Sequence, residues 1–121
     1  MHDESVIVYS VNVEEKTIII QMRSNEGAEN KICFREVLTH SFKCILDYNL
    51  IMDIQEVEIS RFISDHYDEL IKMKSYCWPI DYNTEQDLLT FLITNKYKYI
   101  KINSSYGMYG WILAKSYEKS S

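Results

Sequence analysis

The sequence predicts an α+β domain, a mainly antiparallel sheet with helices packed on one face. Three observations carry that expectation. Alternating segments rich in β-branched residues fill positions 6–58, two segments with helical spacing follow over about 61–75 and 84–94, and two further strands, about 97–102 and 110–117, end the chain. With 121 residues, 46% of them hydrophobic, and only three Gly and one Pro, the chain has the size and composition of one domain spanning 1–121.

The first strand covers 6–13, where Val6, Val8, Ser10 and Asn12 alternate with Ile7, Tyr9, Val11 and Val13. Glu14-Glu15-Lys16 is a charged turn, and Thr17–Met22 is a second strand with three consecutive isoleucines. The polar run 24–30 reads as a loop. Residues 31–44 alternate again, with Ile32 and Phe34 on one side, and Asp47-Tyr48-Asn49 signals a turn before a fourth strand over 50–58. Ser60 is placed to cap the first helix, whose apolar positions are Phe62, Ile63, Tyr67, Leu70 and Ile71. Trp78-Pro79 must interrupt it, because the residue before a proline avoids helical geometry. The connection Cys77–Tyr82 is apolar enough to seal one end of the core. Thr84-Glu85-Gln86-Asp87 resembles a capping box and opens the second helix, with Leu88, Leu89, Leu92 and Ile93 on its apolar face and Asn95 as a left-handed cap at its end. The last two strands are joined by a loop over Asn103–Gly107.

A net charge of −5 and an isoelectric point near 5.1 give no attraction to phosphate backbones or anionic membrane surfaces, so nucleic acid and membrane are not expected partners. Lys96, Lys98 and Lys101 alternate with tyrosines but do not all share one strand face. No stretch approaches the roughly 18 apolar residues of a membrane span, and the acidic N-terminus is unlike a signal peptide. Three cysteines, Cys33, Cys44 and Cys77, form no CxxC pair and imply neither a disulfide scaffold nor a zinc ribbon. A cytoplasmic protein is expected.

No grouping of reactive residues has the spacing that catalysis needs. Cys33 and Cys44 lie seven and four residues from His40, well over 10 Å along a strand at roughly 3.3 Å per residue. On a helix, Asp65, His66, Asp68 and Glu69 offer ligand pairs only at three- or four-residue separations, too few for a metal site. Asp53, Glu56 and Glu58 read as surface charge. No catalytic residue, metal ligand or cofactor is therefore assigned.

The most distinctive segment is aromatic. Tyr97, Tyr99, Tyr106, Tyr109, Trp111 and Tyr117 place six of the sixteen aromatic residues in one hairpin, whose tip carries Ser104, Ser105, Gly107 and Gly110. Tyrosine and tryptophan favour core packing but also protein interfaces. The binding candidates are accordingly Ser104, Ser105, Tyr106, Tyr109 and Trp111.

A small, acidic, aromatic-rich domain without a catalytic motif is similar in general character to bacterial immunity proteins, which neutralise a toxin. That resemblance implies a non-enzymatic interaction module and a protein partner with a basic surface, met by the aromatic cluster or by Asp65, Asp68 and Glu69. The alternative is a small-molecule-binding domain or minor enzyme with a tyrosine-lined pocket between sheet and helices, for which His40, Asp53 or Ser105 would have to converge. A structural subunit forming a homo-oligomer is a third reading.

Overall fold

A computed structural model describes residues 4–73, 79 and 82–120. Six strands, β1 (Glu4–Asn12), β2 (Thr17–Arg23), β3 (Glu29–Lys43), β4 (Leu50–Val57), β5 (Lys98–Tyr106) and β6 (Tyr109–Ser120), form one closed antiparallel barrel in the order β1-β2-β3-β6-β5-β4. Among the described residues, three short helices, α1 (Arg61–Asp65), α2 (Tyr67–Met73) and α3 (Glu85–Thr94), lie between β4 and β5. This corrects the α+β expectation. The predicted strands exist, but the sheet closes on itself and its main core is its own interior, not a layer between sheet and helices.

Closure follows from strand length and irregularity, which alternation does not reveal. β3 is 15 residues long and pairs with β2 through 29–34 and with β6 through 31–43. A positive φ of 52° at Glu36 and a register shift between Val37 and Thr39 bend it between those partners. Two further shifts lie in β4 around Ile51 and Asp53. The barrel then closes through a short seam in which β1 meets β4 at Glu4–Ile51 and Ser5–Leu50, extended by Val6 N–H donating to Asn49 O at 3.0 Å.

The interior is filled by Ile18, Ile20, Met22, Ile32, Phe34, Ile51, Ile100, Ile102, Met108, Ile112 and Ala114, with Val6 and Tyr9 of β1 packed against them. A small barrel packed in this way is a solid core. A second cluster lies outside the wall, where Phe62, Leu70, Leu88 and Leu92 of the helices cover Tyr99, Trp111 and Leu113 of β5 and β6.

Several local expectations change. The segment expected as one helix over 61–75 breaks at His66, whose φ of −126° is not helical, and its last two positions lie outside the described residues. Ser60 does not cap it: the Ser60 hydroxyl donates to Glu58 at 3.1 Å. Thr84 does cap α3, accepting from Asp87 N at 3.1 Å. The left-handed residue after α3 is Lys96 (φ 61°), not Asn95 (φ −91°). Cys77, Trp78, Ile80 and Asp81 of the helix connection lie outside the described residues. Residues 103–106 of the predicted 103–107 loop are strand, so the final hairpin turns on Gly107 and Met108 alone.

Candidate binding surface

Register places the outward side chains of β3, β6 and β5 in rows. Ser41 pairs with Trp111, which pairs with Lys101, and one step towards the open end Lys43 pairs with Tyr109. The row before them, Thr39–Leu113–Tyr99, is covered by the helices, with Tyr99 and Leu113 fully buried. The helical segment ends its coverage at Trp111, 3% exposed, against which the Phe62 ring packs edge-on at 4.9 Å and the His66 ring at 5.2 Å.

Beyond that edge a cleft of about 440 Å³ opens, with Trp111, Tyr109, Lys101 and Asn103 on its floor, Ser41 and Lys43 on one side and His66 and Glu69 on the other. Its wall is a chain of polar groups. Tyr99 Oη donates to Asp65 Oδ2 at 2.9 Å and lies 2.7 Å from His66 Nε2, while His66 Nδ1 lies 3.3 Å from Glu69 Oε1. Burial lowers the His66 pKa below the usual 6.5 and outweighs the opposing pull of Glu69 and Asp65. A neutral ring supplies one proton and Tyr99 another, so two hydrogens are available for three contacts and one contact goes without. Burial, aided by the bond to Asp65, raises the Tyr99 pKa well above its usual 10, which keeps the phenol protonated. Arg61 holds Asp65 from outside at 3.8 Å, and Lys43 reaches Glu69 at 3.6 Å.

Next to the cleft, the β3–β4 loop and the tip of the β5–β6 hairpin form a patch of exposed large side chains: Ile45, Leu46, Tyr48, Tyr106 and Tyr109. Tyr48 and Tyr106 face each other with ring centroids 6.0 Å apart. Asn49 sets this surface. It is the only buried polar residue among those described, and its Oδ1 accepts from Leu46 N at 3.1 Å and from Met108 N at 2.8 Å while its Nδ2 donates to Leu46 O at 2.9 Å. The loop and the hairpin tip are thus fastened together by one side chain. Gly107, in the left-handed region at φ 79°, leaves the room: a Cβ there would collide with Asn49 Oδ1. Ser104 Oγ completes the turn by donating to Gly107 O at 3.0 Å.

Comparison of the chain with protein-family models, curated proteins and solved structures finds no match. Its function must therefore be argued from this geometry.

The five candidates read from the sequence divide by face. Tyr106 and Tyr109 are exposed in the patch, Ser104 and Tyr109 line the cleft, Ser105 is exposed on β5, and Trp111 is buried beneath the helices. Trp111 is therefore floor, not a contact on the open surface. His40, Asp53 and Ser105 do not converge. The His40 ring packs at a tilt against Phe42, centroids 5.0 Å apart, and Asp53 accepts from Asn103 Nδ2 at 2.6 Å. Sequence reasoning misses Asn49, Tyr48, Lys43 and Lys101 as site residues. Only Lys101 has a local signal, since alternation along β5 puts it on the same face as Tyr99. No helix among the described residues is long and apolar enough to cross a membrane.

Proposed function

We propose that the protein is a binding module that engages a protein partner through the patch of Ile45, Leu46, Tyr48, Tyr106 and Tyr109. The observation that carries this reading is the fastening of the two halves of the patch by Asn49. Large apolar side chains held out on a pinned loop lose little freedom on binding, and exposed tyrosines gather where partners dock. The acidic alternative is weaker. Asp65 is engaged by Tyr99 and Arg61 and Glu69 by His66 and Lys43, which leaves Asp68 as the one acid of the three without such a role. The overall charge of −5 still steers a basic partner towards the molecule at long range.

A cytoplasmic protein that masks a partner, in the manner of immunity proteins, fits this picture, and the thiols of Cys33 and Cys44 are free as such a compartment keeps them. The test is affinity capture from the native cell with the wild type and with a Tyr48→Ser/Tyr106→Ser double variant, followed by titration of the purified captured protein. Binding that is lost by at least about tenfold in the double variant supports the reading. Equal binding by both sinks it, and self-association lost in the double variant assigns the patch to a homo-oligomer instead.

A further inference from the structure

We propose that the cleft between the α1–α2 segment and the outer face of β3, β5 and β6 binds a small organic carboxylate with an apolar body. Its charge is the first reason. The charged residues lining it are Lys43, Lys101 and Glu69, an excess of one positive charge in a protein whose net charge is −5. Glu69 is matched by Lys43 at 3.6 Å, with the neutral His66 ring beside it at 3.3 Å. Lys101 forms no ion pair with any carboxylate among the described residues, so its ammonium is the unmatched charge. A single unmatched cation suits a monoanion.

Donors on the floor are the second reason. Ser41, Trp111 and Lys101 stand side by side on three neighbouring strands. Trp111 is 3% exposed, and its Nε1–H, a donor only, has no acceptor among the described residues. A buried donor left unpaired is costly, and an acceptor arriving over this row relieves that cost. The two oxygens of a carboxylate would be shared among the donors of Ser41, Trp111 and Lys101, three residues on adjacent strands that all line the cleft.

Apolar surface beside that row is the third. Tyr109 and Met52, 44% and 46% exposed, line the same cleft and would cover a hydrocarbon or aromatic body. Phosphate would bring a second charge with no second free cation to meet it and would leave the apolar wall wet.

Calorimetric titration of the full chain with 3-phenylpropanoate, 3-phenylpropanamide and inorganic phosphate tests this. Saturable binding of the acid, at least about tenfold tighter than the amide or phosphate and lost by a similar factor in Lys101→Met, is the expected result. Trp111→Phe keeps an aromatic floor but removes the N–H, and weakens the acid more than the amide. Because that variant disturbs a buried position, Lys101→Met with an unchanged melting temperature is the deciding one. An N-acetylated dipeptide ending in phenylalanine, compared with its C-terminal amide, separates the source. Tighter binding of the peptide acid than of 3-phenylpropanoate assigns the site to a protein C-terminus, and weaker binding assigns it to a free acid. Acid and amide binding alike, full affinity in Lys101→Met, or no saturation by either acid overturns the proposal. Lys101 and Trp111 lie outside the exposed patch, so that failure leaves the protein-partner reading standing.

Discussion

Asn49 and Met108 are joined by a 2.8 Å hydrogen bond across 59 residues of sequence, from the buried backbone N–H of Met108 to the side-chain oxygen of Asn49. The same residue holds Leu46 by both N–H and C=O and receives Val6 N–H at the barrel seam. One asparagine thus fixes the β3–β4 loop, the final hairpin and barrel closure. Asn49→Ala leaves at least one buried donor without a partner, at a cost of about 1–3 kcal/mol. Urea unfolding should show that loss, and amide exchange should accelerate at Leu46 and Met108 well before the strands of the core.

Gly110 is required by contact rather than by its backbone angle. A Cβ there would collide with Ser41 O, where β3 and β6 run against each other. Gly110→Ala must push the two strands apart, and about 3 kcal/mol or more of stability should go with it. Gly27 is the control. It is left-handed at φ 87°, and a Cβ added there would meet nothing within 4 Å, so Gly27→Ala should cost only about 1–2 kcal/mol, the backbone penalty alone. Equal losses in the two variants would argue against the strand contact.

The histidines give a pH dependence with a definite sign. His40 and His66 both have pKa values lowered from 6.5 by burial, so the unfolded chain takes up protons before the folded one does. Their contribution to stability is complete above 6.5 and is lost as the pH falls from that value to the lower folded values. The urea midpoint should therefore decline between about pH 7 and pH 5. His40→Gln/His66→Gln should flatten that decline, and an unchanged slope would show that other groups carry it.

Tyr99→Phe removes the hydroxyl that links Asp65 to His66 while keeping the buried ring. A loss of about 1–2 kcal/mol is expected, because Asp65 keeps Arg61 and His66 keeps Glu69. The measurement is again the urea midpoint, near neutral pH where His66 is uncharged.

Much of the strand content is legible in the sequence. Alternation locates β1, β2 and β4 to within a few residues, and the Thr84 cap marks α3. The closure of the sheet is not legible, because it depends on the bend of β3 at Glu36 and on a two-pair seam, neither of which leaves a periodic trace. Helical spacing over 61–75 predicts one helix, but the polar chain through His66 to Tyr99 stands where the helix breaks. The aromatic hairpin stands out from composition alone. Which of its residues face outward does not, since Trp111 disappears under helices that precede it in the chain, whereas Tyr48 and Asn49 reach the hairpin from a loop on the far side of those helices in sequence.

Site-specific photo-crosslinking in the native cell decides whether the pinned patch is where a partner docks. Tyr106 and Ile93 are both 54% exposed but lie on different parts of the molecule, the patch and α3. A photoreactive phenylalanine at position 106 should join the protein to one discrete partner, and the same residue at position 93 should not. Adducts of equal yield from both positions, or none from position 106, would contradict the proposed role of the patch.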